Sequence, residues 1–300
     1  MPDYIPQVLL SLRQASTRRI AKSDLFPRMF GVTFDYPPDG SVLPRFHLIE
    51  KLPQDLVKLQ DVDVTQTEPW REVVERVRFL AEETEGQVPI AYPQMQGQDT
   101  WAARLMDQAE MLMAYHTDPG AMRVIANIWS DIASRLILTL QQVAGGPAVL
   151  RPRARFYQPE WVRGLIVGDY LTVIKPERYY EVCAGSWERL YRAVGPIFYH
   201  TCGPVWHTLE VMQKLPGLAG FECSYVRGQT KTTADLAAVK AQLAGKIVLC
   251  SFEWPLGGAV EDMENLTAEW LWRMSQGGGL MMQASGPAQE GRELWARLEL

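Results

Sequence analysis

The segment Ile197-Phe-Tyr-His-Thr-Cys-Gly203 holds the residue types best suited to chemistry. Its apolar start reads as a β-strand, and residues two apart on a strand point to the same side. His200 and Cys202 therefore project together from the strand end, where an imidazole nitrogen and a thiolate can share one metal ion. The pair suits zinc. Two later apolar runs end in Gly220-Phe-Glu-Cys-Ser224 and Val248-Leu-Cys-Ser251, which offer Glu222, Cys223 and Cys250 as further ligands. Strand alternation lets one of Glu222 and Cys223 face inward, not both. A catalytic zinc takes three protein ligands and an open position, and His200, Cys202 and Glu222, with Cys250 in reserve, supply that number.

Each of these residues also has a plainer reading. Cys223 and Cys250 serve equally as small buried hydrophobes, and Cys183 belongs to the apolar stripe of a helix. Glu222 is harder to treat as packing, because a carboxylate between Phe221 and Cys223 needs a partner if it is buried. Asp169 ends the run Leu165-Ile-Val-Gly-Asp and is followed by Tyr170; it either binds substrate and moves a proton, or caps the next helix. Gln94, Gln96 and Gln98 follow another strand and either hold a polar substrate or satisfy loop backbone. His116 reads as a helix-start residue, and Trp206 and His207 as loop or helix-start residues.

Strands must carry these side chains, and the chain alternates strands with helices. Strand-like runs lie at Arg45–Glu50, Val88–Gln94, Gly164–Asp169, Ile197–Cys202, Ala219–Ser224, Lys246–Phe252 and Gly279–Ala284, with weaker ones at Phe30–Phe34 and Ala148–Ala154. Helical spacing is clearest over Asp118–Val143, where Asp118 is a natural N-cap, Pro119 suits the first helical position and Gly145–Gly146 ends the pattern. Pro176–Val194 reads the same way and stops at Gly195; Thr233–Leu243 and Asn265–Gln276 follow. Alternation of this kind predicts a parallel α/β architecture, and seven to nine strands fit a (β/α)8 barrel. A doubly wound sheet is the alternative, although no Gly-rich turn follows the first strand.

The chain has 300 residues, 47% hydrophobic and 22% charged, with a formal net charge of -5. Its acidic balance argues against nucleic-acid binding. Apolar runs such as Leu136–Leu140 are far shorter than the roughly 20 residues that span a bilayer, and no secretory leader is visible. Four cysteines make no disulfide framework, so a reducing, cytoplasmic setting is expected. With no repeat or linker, residues 1–300 read as one domain, with 1–43 an N-terminal extension and 44–300 the barrel. The tryptophans Trp270, Trp272 and Trp295 either close the barrel or make a homodimer contact.

Several segments in order resemble the uroporphyrinogen decarboxylase superfamily: PRFHLIEKLPQDLVKL, PIAYPQMQGQDTWAARLM, the Tyr115–Gly146 helix, GLIVGDYLTVIKPERYYE, IFYHTCGPVW, GLAGFECS, GKIVLCSFEWP and SQGGGLMMQASGP. The resemblance implies a (β/α)8 barrel. Decarboxylases of the family carry an arginine motif close to RQAGRY, whereas Arg18, Arg19 and Arg28 stand in a different context here. The HTCG segment is closer to the zinc-binding HxC of methylcobamide:coenzyme M methyltransferases and cobalamin-independent methionine synthases. That likeness implies that His200 and Cys202 are the first two zinc ligands and that Glu222 matches the glutamate of the next strand in the methionine synthases. The last family ligand is a cysteine on the final strand, where this chain reads Met282-Gln-Ala-Ser-Gly286. Either Cys250 replaces it, or three ligands suffice, or the site is lost.

The function this implies is methyl transfer from a corrinoid, carried on a partner protein, to a thiol that zinc activates. Asp169 would be the catalytic residue, and Gln94, Gln96 and Tyr170 would bind the substrate. The alternatives are a uroporphyrinogen decarboxylase-like enzyme that relies on Asp169 and a non-catalytic barrel that binds a corrinoid or tetrapyrrole.

Overall fold

A computed structural model describes residues 10–11, 24–38, 42–91, 93, 95–147, 150–151, 161–201, 206–224, 233–253, 267–275, 280–285 and 296. Two parallel sheets organise them. The larger is built from β6 (Gly164–Val167), β7 (Ile197–His200), β8 (Leu218–Ser224), β9 (Ile247–Glu253) and β10 (Leu280–Ser285), which lie side by side in chain order. Helices α7 (Pro176–Val194), α8 (Leu209–Lys214), α9 (Thr233–Gln242) and α10 (Ala268–Ser275) make the crossovers. Each crossover therefore advances the chain by one strand in the same direction. A doubly wound sheet would reverse that order at a switch point, and this sheet has no reversal.

The smaller sheet pairs β1 (Leu10–Ser11), β4 (Ile90–Ala91) and β5 (Leu150–Arg151), again in parallel. The two sheets meet where Gln96, beyond β4, bridges Val167 at the end of β6, and the Gly97 amide donates to the Val167 carbonyl at 2.6 Å. A two-residue antiparallel hairpin, β2 (Phe34–Asp35) and β3 (Leu43–Pro44), stands apart from both.

One expectation changes. Arg45–Glu50 forms no strand: it follows β3 as turns and bends, with Phe46 about half exposed and the Ile49 amide bonded to the Leu105 carbonyl. Leu48 and Ile49 pack on the core instead of entering a ladder. Within residues 1–43, Leu10 and Ser11 pair in parallel with Ile90 and Ala91.

The helices that carry the strands follow local rules. In α6 (Pro119–Ala144) the Asp118 side chain accepts the Ala121 amide at 3.0 Å, Pro119 occupies the first turn, and Gly145 ends the helix at φ 88°. The left-handed conformation costs glycine nothing. Its stripe Ile125, Trp129, Ile132, Leu136 and Leu140 is buried, as is the stripe Tyr179, Val182, Cys183, Trp187 and Leu190 of α7, and the two helices pack along each other. Each large side chain fully buried in this way contributes roughly 1.5–3 kcal/mol. Between β4 and α6 lie α4 (Gln98–Leu105) and α5 (Gln108–Thr117). His116 is in the last turn of α5, so it ends a helix instead of starting one. Among the described residues no helix is long and apolar enough to cross a membrane.

Candidate functional site

The strand ends present two chemically distinct faces. Tyr199 is fully buried and faces the helices: its ring lies 5.6 Å from Trp187 of α7 and stacks on Phe221 of β8 at 5.9 Å with an interplanar angle of 6°. Side chains alternate along a strand, so Phe198 and His200 face the other way. His200 is the last residue of β7 and is only 7% exposed.

Register places its companions. One row across the sheet is Val167, His200, Glu222, Leu249 and Met281. The next row pairs Cys223 with Cys250 and Cys250 with Met282. His200 therefore lies directly opposite position 222, while Cys250 is level with Cys223, one step further along. Cys202 and Gln94 fall outside the described residues, and so do the side chains of Glu222 and Cys250. Among the described residues no three His, Cys, Asp or Glu side chains form a group able to hold a metal.

Other candidates sit around the end of β6. Asp169 is exposed and makes no side-chain cap to the short helical turn Tyr170–Thr172, which removes its capping role. Tyr170 is half-buried, and burial raises its phenol above the ordinary value. Gln96 is half-buried, and its carbonyl accepts the Trp129 indole N–H at 2.7 Å. Gln98 is buried and donates to the Tyr179 hydroxyl at 3.2 Å, so it belongs to the interior. Trp206 and His207 are exposed, in a short helical turn after β7. Cys183 packs inside, 3.6 Å from the Tyr115 hydroxyl, and burial pushes its thiol up to about 12. It is a packing residue with no thiolate to offer near neutral pH.

The residue that sequence reasoning missed is Asp99. It has no exposed surface, and its Oδ2 accepts the Tyr170 and Leu171 amides, each at 3.0 Å. Thr100 Oγ1 accepts the Asp169 amide at 3.1 Å. Burial, with the Asp169 charge adding to it, pushes the Asp99 carboxyl up to about 6, and backbone amides oppose the shift. Two glycines make room for it. A Cβ at Gly168 would stand 2.8 Å from Asp99 Oδ1 and 2.3 Å from the Tyr199 hydroxyl oxygen, and one at Gly97 would stand 2.9 Å from Oδ1. Gly97 before Gln98-Asp99-Thr100, with Gly168 before Asp169, was the signal available in the sequence.

The sequence matches no protein-family model and no curated protein.

Proposed function

We propose that the chain is a (β/α)8 barrel enzyme of thiol methyl transfer, with His200, Cys202 and Glu222 as its zinc ligands. The observation that carries this reading is the register of His200 with Glu222 at the ends of adjacent parallel strands, with Cys202 two residues beyond. Winding of five strands in chain order, and the Gln96–Val167 bridge to the three-stranded sheet, favour the barrel. Active sites of such barrels form at the C-terminal strand ends, where His200 and Glu222 stand.

The donor set fits zinc. Imidazole, thiolate and carboxylate are its three usual protein ligand types, and together they leave one position for a substrate. Register favours Glu222 over Cys250 as the companion of His200, so three ligands form the simplest set. Zinc held there would supply the acidification that turns a thiol into a thiolate at neutral pH. The protein's own residues do the rest. Buried His200 orients the donor set, and exposed Asp169 takes the thiol proton to solvent. Tyr170, Gln94 and Gln96 hold the remainder of the substrate. The thiolate sulfur forms the new bond to the methyl carbon, while the corrinoid donor on its partner protein keeps the bonding electron pair. Such chemistry belongs in the cytoplasm, where thiols stay reduced.

Methylcobalamin absorbance in the presence of a panel of small thiols tests this. The spectrum of demethylated corrinoid should grow in with the full chain and not with Cys202→Ala. Demethylation at the same rate with Cys202→Ala would overturn the assignment. Tight corrinoid or porphyrin binding without turnover would favour a carrier.

A further inference from the structure

The turn after β6 is held from outside its own segment. Three successive amides, those of Asp169, Tyr170 and Leu171, donate to side-chain oxygens in the first turn of α4: one to Thr100 Oγ1 and two to Asp99 Oδ2. The Gly168 amide donates to the His200 carbonyl at 3.0 Å, and the Tyr199 hydroxyl donates to the Gly168 carbonyl at 3.0 Å. The turn is thus pinned at every residue from 168 to 171. We infer that Asp99 and Thr100 form a latch that positions the mouth residues Asp169 and Tyr170. The functional meaning of the latch rests on the reading above, in which those two residues meet the substrate.

The arrangement goes beyond what packing needs. Asp99 has no exposed surface, and its second oxygen, Oδ1, has no hydrogen-bond partner among the described residues. An asparagine would offer the same amide acceptor without a buried charge. What the carboxylate adds is charge assistance, which makes hydrogen bonds shorter and about twice as strong. The groups facing it are Asp169 and Tyr170 on the turn, Tyr115 on α5, Tyr179 and Cys183 on α7, and Tyr199 on β7. The four phenols and the thiol are all pushed up, so none of them ionises in mildly acidic solution. Asp99, raised to about 6, loses its charge there. Protonation of Asp99 therefore changes the acceptor that holds the turn.

Hydrogen exchange of the Tyr170 and Leu171 amides in the full-length chain tests the latch. In Asp99→Ala these two amides should exchange at least about tenfold faster, the scale of a lost charge-assisted bond, while α6 and α7 keep wild-type protection. Asp99→Asn should give an intermediate rate and also covers the case in which the alanine variant fails to fold. Corrected for intrinsic exchange, wild type should show a step near pH 6 that Asp99→Asn lacks. Thr100→Val should free the Asp169 amide, and Thr100→Ser should restore it.

Wild-type protection at 170 and 171 in Asp99→Ala would overturn the latch. So would a step that persists in Asp99→Asn, since that would assign it to a group other than Asp99. Zinc content of the same samples keeps the two claims separate: absent zinc with the expected exchange pattern leaves the latch standing and removes the methyl-transfer reading.

Discussion

Consecutive residues on β7 divide the molecule into a side that holds it together and a side that offers chemistry. Tyr199 sits among Trp187, Tyr179 and Phe221, and its hydroxyl donates to the Gly168 carbonyl. His200, one residue later, faces the opposite side and stands in register with Glu222. Period-two alternation places an aromatic anchor and a candidate metal ligand 3.8 Å apart along the backbone, yet on different faces.

The largest expected effect falls on the helix side. Tyr199→Ala removes a fully buried ring and should cost about 3–5 kcal/mol in denaturant unfolding. Zinc bound per folded molecule should stay at the wild-type level; its loss would show that the two faces are not separable.

Asp99→Asn probes the same side through charge. The folded-state carboxyl is raised from 3.8 to about 6, so its favourable contribution is complete below 3.8 and disappears as pH rises through 6. That shift corresponds to about 3 kcal/mol. Unfolding free energies from about pH 4 to about pH 7 should therefore show the variant gaining on wild type by up to that amount. A difference that is flat with pH would mean that Asp99 carries no buried charge.

A smaller effect is expected at the second buried carboxylate, Asp24. It accepts the Tyr36 hydroxyl, burial raises its carboxyl, and nearby Arg28 opposes the rise. Unlike Asp99, it has a cation beside it. Tyr36→Phe should cost about 1–3 kcal/mol by thermal or chemical unfolding, because it strips a buried acceptor of its donor. No change would mean that the two carboxylates differ less than their surroundings suggest.

Much of the scaffold was legible because local rules and burial agree. Asp118, Pro119 and Gly145 bound α6, and Pro176 and Gly195 bound α7, where the sequence pattern placed them. The strands of the larger sheet were legible as short apolar runs between helices. Arg45–Glu50 shows the opposite case: apolar residues suggest a strand, but a strand exists only where a ladder partner does. Leu10–Ser11 fails in reverse, since two residues beside Ile90 and Ala91 leave no periodicity to read. Asp99 was hidden for a further reason. Its burial is imposed by Gly97, Gly168 and a turn about 70 residues away, and the two glycines mark it only once the fold brings them together. Asp169, conspicuous in the sequence, proved exposed and not a cap.

The most direct test is zinc content, by elemental analysis of protein purified under reducing conditions, in wild type, His200→Ala and Cys202→Ala. Near-stoichiometric zinc in wild type, lost in both variants while each stays folded, is the predicted result. Zinc-free wild type, or zinc that survives both substitutions, would contradict the assignment of this strand end as a metal centre.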